Sequence, residues 1–241
     1  MPAAAKMHFE SYGQGAPLML GYPLTASKLS DSPAPKALEG YLERLTDRYR
    51  VLVLDYPNVG RSEPIAATEF TAERACAEVL QVADASGFDR FAWWGYSWGG
   101  LLGLLLGGRT ARLTALVCGG WPPLGGLHRD LLHVCRATAR VNPAQQLYVT
   151  FYESLQHWQE ADWIRRLSGP RLVYAGAEDV IEREGIRMAT TEKLRAHRAQ
   201  LEAWGWRVEQ IPRADHAVWA NPSAVVPVVR PFLDQALGLP T

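Results

Sequence analysis

The chain has 241 residues, and its 25 lysines and arginines are balanced by 25 aspartates and glutamates, so the formal net charge is zero. Hydrophobic residues make up 48% of the chain and charged residues 21%, which are values of a globular protein and exclude wholesale disorder or a fibrous design. The neutral balance lacks the basic excess of phosphate-binding proteins, so we expect no nucleic-acid partner.

The sequence shows neither a membrane-spanning segment nor a secretory signal, so we expect a cytoplasmic protein. No segment reaches the roughly 18 to 20 apolar residues that span a bilayer, so we expect no membrane partner. The N-terminus meets Lys6 and Glu10 before any apolar core, which is unlike a secretory signal. The length favours one domain over residues 1–241. Three cysteines lack the spacing of a zinc site or disulfide frame and are typical of reduced thiols: Cys76, Cys118 and Cys135.

Short apolar runs alternate with longer segments of helical periodicity along the chain. This alternation predicts an α/β fold with a mostly parallel, doubly wound sheet. Some runs are apolar on both faces, which indicates strands covered by helices on each side. The predicted strands are 7–12, 17–20, 50–55, 90–95, 113–119, 171–175 and 207–211. The predicted helices are 35–49, 71–86, 99–109, 190–204 and 223–237, the last interrupted by Pro227 and Pro231.

One interval is longer than a crossover between parallel strands requires. Residues 121–170 contain three helical pieces, at 127–140, 143–155 and 159–167. We interpret this interval as one crossover helix plus a small lid insertion. Charged and apolar residues are interspersed in these pieces, which favours helices docked by one apolar face over a mobile, lipid-seeking lid.

The sequence Gly-Tyr-Ser-Trp-Gly at residues 95–99 matches the G-x-S-x-G pattern. This pattern serves a strained turn from strand to helix that exposes a serine oxygen above a sheet. An apolar strand precedes it and a Gly-Leu-rich helix follows, so Ser97 is the candidate nucleophile. The alternative is an ordinary turn serine at the end of a glycine-rich strand.

A serine nucleophile needs a base, and the base needs an orienting acid. His216 follows the last predicted strand, at the sheet edge where α/β proteins build their sites. Asp179 follows the preceding strand and is the preferred acid, with adjacent Glu178 as the alternative. The other five histidines are better explained as surface or packing residues: His8, His128, His133, His157 and His197.

The order Ser97, Asp179, His216 resembles that of the α/β-hydrolase superfamily. The resemblance covers essentially the whole chain and includes residues 55–62, which are similar to the D-x-x-G-x-G-x-S turn of that superfamily, with Asn58 in place of the first glycine. It implies a serine-nucleophile, esterase-like member with a short lid. It also implies an oxyanion hole formed by the backbone N–H groups of Tyr22 and Trp98. Leu20 stands where the family usually has a histidine.

Several tryptophans flank these loops, and Trp121 and Trp219 are candidate walls of a substrate pocket, although core packing explains them equally well. The resemblance implies a serine hydrolase that cleaves an ester or related acyl bond of a small molecule through an acyl-enzyme, without metal or organic cofactor. Carboxylesterase (EC 3.1.1) is favoured, with thioesterase, C–C hydrolase or aminopeptidase chemistry open. The alternatives are a ligand-binding protein with this fold, or an acyltransferase or cyclase. Serine at the nucleophile position of the G-x-S-x-G turn argues against epoxide hydrolases, which use aspartate there.

Overall fold

The computed structural model describes residues 7–27 and 33–240. Strands and helices alternate along most of this range. The strands are β1 (Phe9–Tyr12), β2 (Ala16–Leu20), β3 (Tyr49–Leu54), β4 (Phe91–Tyr96), β5 (Leu113–Gly119), β6 (Arg171–Gly176), β7 (Ile181–Arg183), β8 (Ile186–Met188) and β9 (Trp206–Ile211). The helices are α1 (Ala34–Leu45), α2 (Ala72–Ala85), α3 (Trp98–Gly107), α4 (Leu127–Ala139), α5 (Gln146–Glu153), α6 (Glu160–Arg166), α7 (Thr190–Ala196), α8 (Arg198–Ala203) and α9 (Pro222–Ala236).

Seven of the strands form one sheet in the order β1-β3-β2-β4-β5-β6-β9. β1 pairs antiparallel with β3, and the remaining neighbours are parallel. The predicted mostly parallel sheet is therefore confirmed. Because its parallel strands point the same way, the loops after β2, β4, β6 and β9 meet at one edge of the sheet.

Helices cover both faces of the sheet, as the runs of buried strand residues predict. On one face α1 and α9 pack against the sheet, and Tyr41 of α1 meets Trp94 of β4. On the other face α2 and α3 pack, and Leu105 of α3 joins the cluster around Trp93. Neighbouring strand residues point to opposite faces, so the adjacent tryptophans serve two separate halves of the core. Both are buried.

The segment between β6 and β9 differs from its prediction. The helix predicted over 190–204 is two short helices, α7 and α8, because His197 between them adopts non-helical angles of φ −108° and ψ 6°. An antiparallel hairpin, β7–β8, precedes them and was not predicted. Its two-residue turn, Glu184 and Gly185, has positive φ at both positions (51° and 70°), as a type I′ turn requires.

The helix predicted over 35–49 ends at Leu45, because Tyr49 already pairs with Ala16 in the sheet. The C-terminal helix α9 instead continues through both of its prolines. Pro227 and Pro231 lie on its exposed side, where water can solvate the carbonyl groups that lose their partners.

The interval between β5 and β6 contains the three predicted helices. α4 and α5 pack on each other over the edge of the sheet to which the loop after β4 leads. α6 returns along α3, where the Trp163 indole N–H donates to the Leu104 carbonyl over 2.9 Å. Within the described ranges no helix is long and apolar enough to cross a bilayer. The three cysteines are free and buried.

Candidate active site

The turn from β4 to α3 holds Ser97 in a strained backbone conformation, with φ 53° and ψ −122°. The flanking glycines are required by close backbone contacts. A Cβ at Gly95 would lie 2.1 Å from the carbonyl oxygen of Gly99, and one at Gly99 would lie 2.5 Å from that of Tyr22. The sharp turn leaves Ser97 half-buried, at the N-terminus of α3, with its hydroxyl facing the loops that follow β6 and β9.

Those two loops bring His216 and Asp179 to the serine. The Nε2 atom of His216 lies 3.0 Å from Ser97 Oγ, and its Nδ1 atom lies 3.0 Å from both carboxylate oxygens of Asp179. Asp179 is fully buried, so this carboxylate has no solvent to satisfy it. A carboxylate only accepts, so Nδ1 carries the proton and Nε2 is free to accept one from the hydroxyl.

The adjacent acid, Glu178, takes no part in this cluster. Its side chain is exposed and borders a different depression, on the outer side of the loop after β9. Its backbone N–H donates to the Ala214 carbonyl over 2.9 Å and ties the two loops together. This bond holds the chain so that the next residue, Asp179, turns inward toward His216.

The loop after β2 lies beside the serine and is well held, although Leu20 stands where the α/β-hydrolases that the sequence resembles usually have a histidine. The Gly21 N–H donates to the Trp94 carbonyl and the Tyr96 N–H donates to the Tyr22 carbonyl, each over 2.9 Å. Leu20 itself is buried in the core beside Trp94. The loop is therefore fixed to β4 on both sides of Tyr22 without a histidine.

The two predicted oxyanion donors differ in their present partners. The Tyr22 N–H donates to the hydroxyl of Tyr56 over 3.0 Å. The N–H of Trp98 is at the first position of α3 and has no acceptor within residues 7–27 and 33–240. Helix N-termini favour negative charge, so this free donor suits a developing oxyanion.

Tyr56 reaches Tyr22 from the turn at residues 55–62, which the sequence identified by resemblance. Asn58 in this turn has φ 65°, the conformation that glycine would otherwise supply. The turn is closed by Asp55, whose carboxylate accepts the backbone N–H groups of Ser27 and Arg61, each over 2.9 Å. Burial raises the pKa of Tyr56, so its hydroxyl stays protonated.

Two cavities meet at Ser97. The first, of about 270 Å³, reaches His216 and is walled by Trp121 and Trp219, the two predicted pocket residues. The second, of about 460 Å³, runs between Trp98 and helices α4 and α5. Residues that the sequence did not suggest also line them: Leu127, Leu131, Tyr148, Ile181, Arg183 and Met188.

A signal for three of these lining residues was present in the sequence. Residues 181–188 read Ile-Glu-Arg-Glu-Gly-Ile-Arg-Met, in which short runs of mixed apolar and charged residues flank a Glu-Gly turn. That pattern is typical of a short hairpin. Most of the lining is apolar or aromatic, and burial raises the pKa of Tyr148 to about 12, so the phenol adds no charge near neutral pH.

Comparisons with known proteins concern the fold of the chain. Residues 31–119 match the model of the family described as alpha/beta hydrolase fold. A protein named carbamate hydrolase RutD, from Agrobacterium fabrum (strain C58), is 31% identical over 110 residues, which are 44% of this chain and 40% of that protein. The matched part thus spans less than half of that relative's length.

Solved structures match over nearly the whole chain. An esterase from Thermogutta terrifontis is similar with a TM-score of 0.69 and 20% identity, covering 98% of this chain and 95% of its own. An enol-lactonase from Burkholderia xenovorans LB400 is similar with a TM-score of 0.67 and 18% identity, covering 96% and 97%. The sheet order, the strained serine turn and these likenesses together show that the chain has an α/β-hydrolase fold.

Proposed function

We propose that the protein is a serine hydrolase that cleaves an ester or a related acyl bond of a small molecule. The observation that carries the proposal is the unbroken line of contacts from Asp179 through His216 to Ser97, at the point where two cavities meet. A buried acid, an oriented imidazole and a serine hydroxyl at hydrogen-bond distance are the parts that acyl transfer needs.

In the proposed mechanism Ser97 Oγ attacks the substrate carbonyl carbon while His216 Nε2 takes the hydroxyl proton. The N–H groups of Trp98 and Tyr22 stabilise the oxyanion. To do so, the Tyr22 N–H gives up its hydrogen bond to the Tyr56 hydroxyl and donates to the oxyanion instead. His216 then returns its proton to the leaving group. Water attacks the acyl-enzyme by the same route in reverse, and Asp179 stabilises the imidazolium in both halves.

The relatives support a carbonyl bond to oxygen or nitrogen as the target. One is named a carbamate hydrolase and two solved neighbours are described as an esterase and an enol-lactonase. A carbamate differs from an ester only in the nitrogen on the carbonyl carbon, so the same nucleophile and oxyanion donors serve both. We favour esters and lactones, and place carbamates second.

The test is covalent labelling by a fluorophosphonate, together with release of 4-nitrophenol from 4-nitrophenyl acetate. We expect the protein to be labelled and active, and Ser97→Ala to abolish both while leaving the circular dichroism spectrum and melting temperature close to those of the parent. Ser62→Ala, at a serine in the turn below the site, is the matched control and should still be labelled. Undiminished labelling of Ser97→Ala would refute the assignment of the nucleophile. Labelling without turnover of esters, lactones or carbamates would favour an acyltransferase or cyclase, and the absence of both would favour a binding protein.

A further inference from the structure

The hairpin β7–β8 contributes one charged and exposed side chain, that of Arg183, to the lining of the site. Successive cross-strand pairs point to opposite sides of the hairpin, so the pairs Ile181–Met188 and Arg183–Ile186 lie on the same side. Ile181, Arg183 and Met188 all line the first cavity, so this side faces the site. The intervening pair, Glu182 and Arg187, faces outward.

The surroundings hold the hairpin over the site. The Thr191 N–H donates to the Asp179 carbonyl over 3.2 Å. This bond joins the two ends of the segment that contains the hairpin. The type I′ turn at its tip fixes the pairing register, and a slip of one residue would turn Arg183 outward. The position of Arg183 therefore follows from the fold of the loop.

Arg183 is the one side chain with a permanent charge among the described residues that line the two cavities. It lines both of them, as Ser97, Tyr22 and Leu131 also do. No aspartate or glutamate lines either cavity within the described part of the chain, and none there forms an ion pair with Arg183. By contrast Arg187, on the outer side, pairs with Glu192.

The charge of Arg183 acts on the groups around the serine. Burial raises the pKa of the Tyr22 hydroxyl, and the positive charge of Arg183 opposes that rise. Burial also raises the pKa of the Cys135 thiol, on the wall of the second cavity, to about 11, again with opposition from Arg183. The guanidinium thus favours negative charge on both sides of the serine.

We propose that Arg183 binds a carboxylate of the substrate, so that the preferred substrates are small esters or lactones that carry a negative charge. This inference rests on the proposed hydrolase function. A guanidinium presents a planar fork of N–H donors that matches a carboxylate. The Arg183 side chain is exposed and lies beside two cavities whose other lining residues are mostly apolar or aromatic. The carboxylate belongs either to the acyl part or to the leaving group, because Arg183 lines both cavities.

The experiment compares charged and neutral esters of nearly the same shape. On the acyl side, the mono-4-nitrophenyl ester of adipic acid is compared with the same ester whose terminal carboxylate is a primary amide. On the leaving-group side, 4-carboxyphenyl butyrate is compared with 4-carbamoylphenyl butyrate. We expect kcat/KM to favour the charged compound about two- to fivefold in one of the two pairs, as for an ion pair with an exposed guanidinium.

Two variants test the source of that preference. Arg183→Gln should abolish it, so that the charged and neutral members of each pair are cleaved with similar kcat/KM. Arg187→Gln, on the opposite side of the same hairpin, should retain it. Raising the salt from about 0.02 M to about 0.5 M should weaken the preference in the parent, because the screening length falls from roughly 20 Å to roughly 4 Å. No preference in either pair, or a preference that survives Arg183→Gln, would overturn the proposal.

A binding measurement separates this proposal from the hydrolase function. In Ser97→Ala, calorimetry is done with the monoanilide of adipic acid for the acyl side and with 4-butyramidobenzoate for the leaving-group side, each beside its neutral primary amide. The charged compound should bind more tightly in at least one of these two pairs. Adding Arg183→Gln should remove the difference. If neutral esters are not cleaved by the parent but this difference is found, the hydrolase proposal fails and the anion site stands. If esters are cleaved but no difference is found, the anion site fails alone.

Discussion

Replacement of Asp179 by asparagine is the sharpest test of the proposed mechanism, because either orientation of the new amide points an N–H donor at Nδ1 of His216. Both carboxylate oxygens lie 3.0 Å from Nδ1 of His216. Whichever way the amide is turned, its NH₂ group occupies one of those places and points a donor at a ring nitrogen that already carries a proton. The conflict is relieved when the proton moves to Nε2. That nitrogen then donates to Ser97 and can no longer accept from it.

The expected loss follows from the burial of this acid. Asp179 is fully buried, so no water can replace the lost acceptor, and the variant also loses the charge that stabilises the imidazolium. Loss of tautomer control of this kind lowers kcat by about 10⁴-fold, or about 5.4 kcal/mol at 1.36 kcal/mol for each factor of ten. Stability should change little, since asparagine has nearly the same shape.

The assay is the steady-state hydrolysis of 4-nitrophenyl acetate, with circular dichroism and thermal unfolding to check the fold. Glu178→Gln is the matched control. Its side chain is exposed and the bond that this residue makes to Ala214 comes from its backbone, so kcat should stay within about twofold. A loss of less than tenfold in Asp179→Asn, or a larger loss in Glu178→Gln, would refute the assignment of the orienting acid.

Three further outcomes are expected. Gly99→Ala should abolish activity and lower the melting temperature, measured by calorimetry, because its Cβ would lie 2.5 Å from the Tyr22 carbonyl oxygen; a fully active variant would contradict this account of the turn. Across acetyl, butyryl, octanoyl and palmitoyl 4-nitrophenyl esters, kcat/KM should be highest for a short or medium acyl chain, since the cavities measure about 270 and 460 Å³. Emulsified substrate should give no jump in rate. A maximum at the palmitoyl ester would contradict this prediction. The raised pKa of Cys135, about 11, leaves roughly 0.1% of this thiol as thiolate at pH 8, compared with about a quarter of an ordinary thiol. Cys135 in the native protein should therefore react slowly with a maleimide. Rapid modification of Cys135, located by peptide mapping, would contradict this.

Local pattern in the sequence was sufficient for the frame of the molecule. A strand buried on both faces shows as an unbroken apolar run wherever it lies in the chain, and all seven strands of the sheet were predicted within a few residues. The serine turn was also predictable, because the G-x-S-x-G pattern is local in sequence. The two glycines are required for different reasons, since Gly95 contacts the nearby Gly99 and Gly99 contacts the distant Tyr22. Parallel strands bring successive loops to one edge, so the sequence also placed Ser97 and His216 together.

Choices between neighbouring residues were decided by contacts between distant parts of the chain. Glu178 and Asp179 have the same chemistry, and the backbone bond to Ala214 turns one outward and the other inward. The loop at Tyr22 lacks the histidine usual in the α/β-hydrolases that the sequence resembles. It is held instead by β4 and by Tyr56, neither of which is near it in sequence. Arg183 reaches the site only because a two-residue turn sets the register of its hairpin. In each case the sequence specifies which side chain is present, and the direction in which it points depends on hydrogen bonds that form only when the chain folds.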